Sequence, residues 1–224
     1  NQELNLNIDW ISSDEINDED LGKVLGRLSG IVIPGGFGPR GIDGMVKCAN
    51  YARTKNIPYL GLCLGMQIMV IEYSRNVLNL HDANSSEFDQ NSKNHVIDFL
   101  PGQIKLKETG ASMRLGNYPC VIDKKSKVFS CYNNNEIVER HRHRYEVNND
   151  YRSELEKRGL LASGTSPDGN LVEIMEVSNH PFMIGSQFHP EFLSRPDRPH
   201  PLFYGFVSAV NEAVVEGDQI RLIQ

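Results

Sequence analysis

Residues 57–75 read IPYLGLCLGMQIMVIEYSR. Ile57 to Leu62 is apolar or small throughout and suits a strand buried on both faces. From Gly65 to Arg75 the apolar positions take on helical spacing. The strand therefore runs into a helix through Gly61-Leu62-Cys63-Leu64-Gly65. Small residues two before and two after Cys63 permit a sharp strand-to-helix turn, the nucleophile elbow, which pushes a side chain out of the carboxyl edge of a sheet. The helix N-terminus there favours a thiolate. The competing reading is a buried cysteine on a strand–helix turn flanked by packing glycines.

Upstream, Gly30 to Pro34 (GIVIP) predicts a second buried strand, ending at Gly35-Gly36. Gly41 to Thr54 carries Ile42, Met45, Val46, Ala49 and Ala52 at helical spacing. Strand, helix, strand, helix in close succession is a βαβ pattern. It predicts an α/β fold: a mostly parallel central sheet flanked by helices, plus a small antiparallel strand region. Asn84 to Lys127 is richer in Asn, Ser, Lys and Gly and reads as loops with short antiparallel strands, at Ile104 to Lys107 and Cys120 to Ile122. Ser153 to Arg158 reads as a short helix. Leu171 to Val177 and Phe182 to Phe188 read as a strand pair turning near Asn179-His180-Pro181, and Pro201 to Val215 as a helix packed on the sheet. One domain, 1–224, is expected.

Composition narrows the function. The chain has 224 residues, 39% hydrophobic and 23% charged, with a net charge of -6. An acidic balance argues against nucleic acid, whose phosphates call for a basic field. The longest apolar stretch, Ile57 to Ile71, is broken by Pro58, Gly61, Gly65 and Gln67, so no membrane span is expected. Asn1 to Asp9 lacks a signal-peptide pattern, and the expected location is cytoplasmic. The four cysteines are scattered, with no CxxC pair, so neither a disulfide framework nor a metal site is expected.

A thiol nucleophile needs a base. Of the seven histidines, His189 stands in Phe188-His189-Pro190-Glu191-Phe192, closing a strand-like segment. In extended backbone His189 and Glu191 share a face. Glu191 can then bond one ring nitrogen and leave the other for Cys63. The glycine-rich stretch Pro34 to Gly41 lacks the Lys-Ser/Thr of a P-loop and the GxGxxG spacing of a dinucleotide site. Phosphate binding and an oxyanion or substrate loop both remain open for it, and Cys63 favours the second, with a glycine N–H joining that of Leu64. In Arg140 to Arg144 (RHRHR) the alternation puts the three arginines on one face.

GGFGPRG (35–41), YLGLCLGMQ (59–67), NSSEF (84–88), MRLG (113–116), ERHRHRYEVN (139–148) and SQFHPEF (186–192), in that order, resemble the glutaminase domain of CTP synthase, a class I glutamine amidotransferase. The resemblance covers residues 8 to 212 and implies hydrolysis of the glutamine side-chain amide to supply ammonia for amination of UTP to CTP. It implies Cys63, His189 and Glu191 as the triad and Gly36 and Leu64 as oxyanion donors. It further implies Gln67, Glu87 and Arg144 as ligands of L-glutamine, Glu87 for the α-amino group and Arg144 for the α-carboxylate. No cofactor is implied in this domain. The full-length enzyme is expected to use ATP and Mg2+, with GTP as activator, in a homo-tetramer whose synthase domain lies outside this chain. The family's domain also opens with a further strand and helix, and this chain begins after both. The alternatives are a γ-glutamyl hydrolase, another class I amidotransferase subunit, or a catalytically dormant regulatory domain.

Overall fold

A computed structural model describes residues 5–19, 21–99 and 113–223, with side chains as far as 215. In chain order the elements are α1 (Leu21–Leu25), β1 (Ile31–Ile33), α2 (Ile42–Lys55), β2 (Tyr59–Leu62), α3 (Leu64–Asn76), β3 (Asn84–Ser85), β4 (His95–Phe99), β5 (Arg114–Ile122), α4 (Lys127–Tyr132), β6 (Glu136–His143), β7 (Tyr145–Val147), α5 (Asn149–Lys157), β8 (Leu160–Thr165), β9 (Val172–Val177), β10 (Met183–Ser186) and α6 (Pro201–Ile223). The fold is α/β. A seven-stranded sheet runs β1-β2-β10-β9-β8-β5-β6, and β3-β4-β7 form a separate three-stranded sheet.

Strands β1, β2 and β10 pair in parallel, with Tyr59 of β2 opposite both Ile31 and Met183. The remaining pairings in the large sheet are antiparallel. Because antiparallel partners alternate in direction, β8 and β6 point the same way as β1, β2 and β10, and only β9 and β5 oppose them. The sheet is thus mostly parallel in strand direction, while its antiparallel pairing extends well beyond the small region that the sequence suggests. The cause is connection length: β8, β9 and β10 follow one another through short loops, which only antiparallel neighbours allow.

At the centre of the sheet both faces are covered, so β2 and β10 are buried at every position, whereas Val32 of β1 and alternate positions of β5 and β6 are exposed. On one face Tyr59 and Met183 join the core beneath α2 and α3. On the other, Leu60, Leu62, Ile184 and Phe188 pack with Val128 of α4 and Leu202 of α6. Helix α3 is buried continuously from Leu64 to Ser74. Its one buried carboxylate, Glu72, accepts from Arg53 at 2.7 Å and from Asn50 at 2.8 Å, both on α2.

Three differences from the sequence reading have local causes. Helix α5 starts at Asn149, four residues ahead of the expected Ser153, because the Asn148 side chain caps it by accepting from the Asp150 N–H at 3.0 Å. Strand β3 pairs with β4 in parallel inside a region read as antiparallel. Helix α4, capped by Ser126, begins where only loop and strand are expected. The strand expected at Ile104 to Lys107 lies outside the described residues.

Candidate active site

The site residues leave the carboxyl ends of strands that point the same way, the usual place for a site on such sheets. Cys63 follows β2, Gly35 and Gly36 follow β1, His189 follows β10, and Arg144 follows β6. Cys63 adopts φ 50°, ψ -97°. This strained elbow is held by its N–H donating to the Ser186 carbonyl at 2.7 Å, and by the Tyr59 hydroxyl donating to the Gly65 carbonyl at 2.7 Å.

The thiol is buried, at 2% exposure, and its ionisation follows from that. Burial pushes Cys63 up to about 12; hydrogen bonds from the Leu64 N–H and the Gln187 side chain lower it without offsetting the burial. The helix N-terminus therefore does not deliver a standing thiolate, contrary to the sequence expectation: desolvation outweighs the helix N–H contribution. Alkylation of Cys63 by iodoacetamide in the ligand-free protein should accordingly keep rising roughly tenfold per pH step where an ordinary thiol, with pKa near about 8.5, levels off. A plateau at neutral pH would show a standing thiolate instead.

His189 is buried and fixed on three sides. Its N–H donates to the Arg140 carbonyl at 2.8 Å, its ring stacks on Phe192 with centroids 5.0 Å apart, and Nδ1 donates to Glu191 Oε1 at 2.6 Å. The pair meets in a 3-10 turn, Pro190–Phe192, rather than across an extended face. Pro190 sets the helical φ that starts the turn. Burial raises Glu191, but the bond to His189 and the nearby imidazoles outweigh it, and the carboxyl sits below its ordinary range. The other ring nitrogen, Nε2, is buried with no hydrogen-bond partner among the described residues. Gly35 lies against both the Cys63 and His189 side chains: a Cβ placed on it would lie 2.8 Å from His189 Cε1 and 3.6 Å from Cys63 Cβ.

Beside Cys63 opens a cavity of about 330 Å³. Gly36, Gln67, Glu87 and Arg144 line it, with Met113, His143 and Tyr145. Cys63, Gly36, Gln67, Glu87 and Arg144, all chosen from the sequence, are thus brought together from four segments of the chain; Leu64 is outside the lining, but its N–H bonds the Cys63 sulfur. Glu87 accepts from the Gly38 N–H at 2.8 Å, tying the glycine-rich loop to the cavity wall. Burial raises the Glu87 carboxyl, while Gly38 and the charge of Arg144 act to lower it. A larger depression of about 570 Å³, edged by Leu115, Arg140, Arg142, Phe192 and Arg195, does not include Cys63 or His189 in its lining. Among the described residues no group of three or more His, Cys, Asp or Glu side chains could hold a metal ion.

Behind the cavity lies a buried ionic cluster that sequence reasoning missed. Arg114 donates to Glu146 at 2.9 Å and to Glu173 at 2.7 Å, bridging β5, β7 and β9. The neighbouring His141 and His143, 3.0 Å apart, are pushed well below the ordinary imidazole range, first by burial and then by Arg114. They are neutral. Arg114→Met should cost about 3–5 kcal/mol, because it strands two buried carboxylates, and thermal unfolding would measure it. An unchanged midpoint would contradict the cluster's structural role. The signal was present in MRLG, YEV and VEI as charges within apolar strands, but only pairing across the sheet reveals that they meet.

This geometry can be set beside known proteins. The class I glutamine amidotransferase family model matches residues 1–209. The chain belongs to that family. Among its relatives, CTP synthase of Dehalococcoides mccartyi is 55% identical over 217 residues, covering 97% of this chain and 40% of that protein. CTP synthase of Bacillus subtilis is 47% identical over 211 residues, 94% of this chain and 39% of that protein. The solved glutaminase domain of Trypanosoma brucei CTPS with bound acivicin superposes with a TM-score of 0.89 at 40% identity, covering 94% of this chain and 82% of that one. Within the family this amidotransferase domain is of the CTP synthase type. The chain spans about two fifths of the length of the curated relatives it matches. No helix among the described residues is long and apolar enough to cross a membrane.

Proposed function

We propose that this domain hydrolyses the side-chain amide of free L-glutamine through a Cys63 thioester, and that the ammonia aminates UTP to CTP in the synthase portion of a longer protein. The observation that carries the reading is the single cavity into which Cys63, Glu87 and Arg144 all open. A free amino acid presents one cation and one anion at fixed separation, and Glu87 and Arg144 supply the complementary charges.

With glutamine bound, His189 Nε2 takes the Cys63 proton and the sulfur attacks the amide carbonyl carbon. The Gly36 and Leu64 N–H groups hold the oxyanion. On collapse the C–N bond breaks, His189 protonates the departing nitrogen, and ammonia leaves a γ-glutamyl thioester. His189 then deprotonates water, which adds to the thioester carbon, and the C–S bond breaks to release glutamate. Glu191 keeps the imidazole oriented and balances its transient charge. Gln67, on the cavity wall, contacts the substrate. ATP and Mg2+ act in the synthase portion, with GTP as activator and a cytoplasmic homo-tetramer as the assembly; these rest on the family alone.

The test is glutamate release from free glutamine compared with γ-glutamyl peptides. Free glutamine should be strongly preferred. Arg144→Met should raise KM for glutamine about 10–100-fold with a smaller change in kcat, the loss of one charge-assisted contact. Equal turnover of peptides, or an unchanged KM, would direct the reading to a γ-glutamyl hydrolase.

A further inference from the structure

We propose that Gln187 is a further functional residue of this site: its side-chain N–H donates to the Cys63 sulfur and stabilises that sulfur whenever it carries negative charge. The proposal rests on the reading of Cys63 as the nucleophile. Gln187 is fully buried just beyond β10, and its backbone N–H donates to the Glu173 carbonyl of β9 at 2.8 Å. Its side-chain nitrogen lies 3.6 Å from Cys63 Sγ.

The orientation of this amide is dictated by its neighbours. Gln67 Nε2 lies 3.2 Å from the Tyr145 carbonyl, a group that only accepts, so the atom facing it must be the donor nitrogen. That same nitrogen donates to Gln187 Oε1 at 3.3 Å. With its oxygen engaged by Gln67, Gln187 turns its NH2 group to the sulfur. A thiol accepts such a bond weakly, whereas a thiolate accepts a charge-assisted one. A contact that strengthens on ionisation favours the ionised form, here against the burial that pushes Cys63 up.

During the proposed turnover the sulfur is negative twice. The first time is after His189 removes its proton. The second is when the thioester C–S bond breaks and the sulfur takes the electron pair, before a proton returns from His189. Gln187 faces the sulfur at both moments. Because Gln67 also lines the substrate cavity, the amide pair links the cavity wall to the nucleophile.

The decisive measurement is iodoacetamide alkylation of Cys63 in the intact protein across alkaline pH, read by mass on the Cys63 peptide, with Cys63→Ala as background. Glutamine takes no part, so the readout is independent of hydrolysis. Gln187→Leu should alkylate roughly tenfold more slowly at each pH where the rate follows thiolate fraction. Gln187→Glu keeps the size and the acceptor for Gln67 but sets a carboxylate against the sulfur, and should be slower still. Should the leucine variant fail to fold, the glutamate variant carries the comparison. A folded variant alkylating within twofold of wild type would overturn the proposal. If wild type released no glutamate while the alkylation difference persisted, the proposed function would fall and the Gln187 assignment would stand. Glutamine hydrolysis with unchanged alkylation would do the reverse.

Discussion

Cys63→Ala is expected to lower glutamine hydrolysis by a factor on the order of 10⁴ or more, because removing a covalent nucleophile removes the whole pathway rather than one of its supports. No other described cysteine can take over: Cys48 and Cys120 are buried elsewhere in the core, and Cys131 lies on α4. On the proposed function, synthesis driven by added ammonia in the longer protein should be spared, since the loss is confined to ammonia production. His189→Ala should come close to the same loss, as it removes the proposed base, which Glu191 orients. Glutamate release by Cys63→Ala at a substantial fraction of wild type would end the thioester mechanism. Loss of ammonia-driven synthesis as well would mean that the substitution damaged the fold rather than the chemistry.

Gly65→Ala should give a large loss of stability for a single methyl group. A Cβ on Gly65 would collide with the carbonyl oxygen of Ile33 in β1, and a backbone atom paired within a parallel sheet has little room to move. Gly61 faces the same crossing from the other side: its Cβ would lie 2.5 Å from the Gly65 carbonyl carbon and oxygen. The elbow is thus a point where strand and helix backbones touch without side chains between them. Overpacking here should cost about 3 kcal/mol, at the upper end for forced methylenes. For a chain of this size that lowers the unfolding midpoint by about 6–12 °C. Activity should fall further than stability alone explains, because α3 can make room only by carrying Cys63 away from His189. Gly22, with nothing within 4 Å of its Cβ, is the control: Gly22→Ala should be neutral or slightly stabilising. Matching midpoints for the two variants would refute the steric account of the elbow.

Much of this site was legible in the chain because its parts are local. Gly61 to Gly65 announces a turn by the sizes of its residues, and the apolar runs Ile31–Ile33 and Tyr59–Leu62 announce the strands around it, although Val32 in the first of them is exposed. His189 and Glu191 stand two residues apart, so their partnership needed no fold to suggest it, although the 3-10 turn that joins them replaced the expected strand. Glu87 and Arg144 are different. Alone, each is a charged residue on a loop or strand end, and the family likeness supplied them. The buried Arg114 cluster and Gln187 carried no local sign of their partners.

The sequence by itself determined the α/β class, the elbow and the choice of Cys63, His189 and Glu191 as the proposed nucleophile, base and orienting acid. These follow from short-range patterns of size, polarity and spacing, which act through the backbone conformation of a few neighbouring residues. Tertiary structure alone decided that the thiol is protonated when no ligand is bound, that most strand pairing is antiparallel, and that Gln67 orients Gln187 toward the sulfur. Those outcomes depend on desolvation and on contacts between residues far apart in the chain, such as Cys63 and Gln187, and no local pattern encodes which distant groups will share a buried volume.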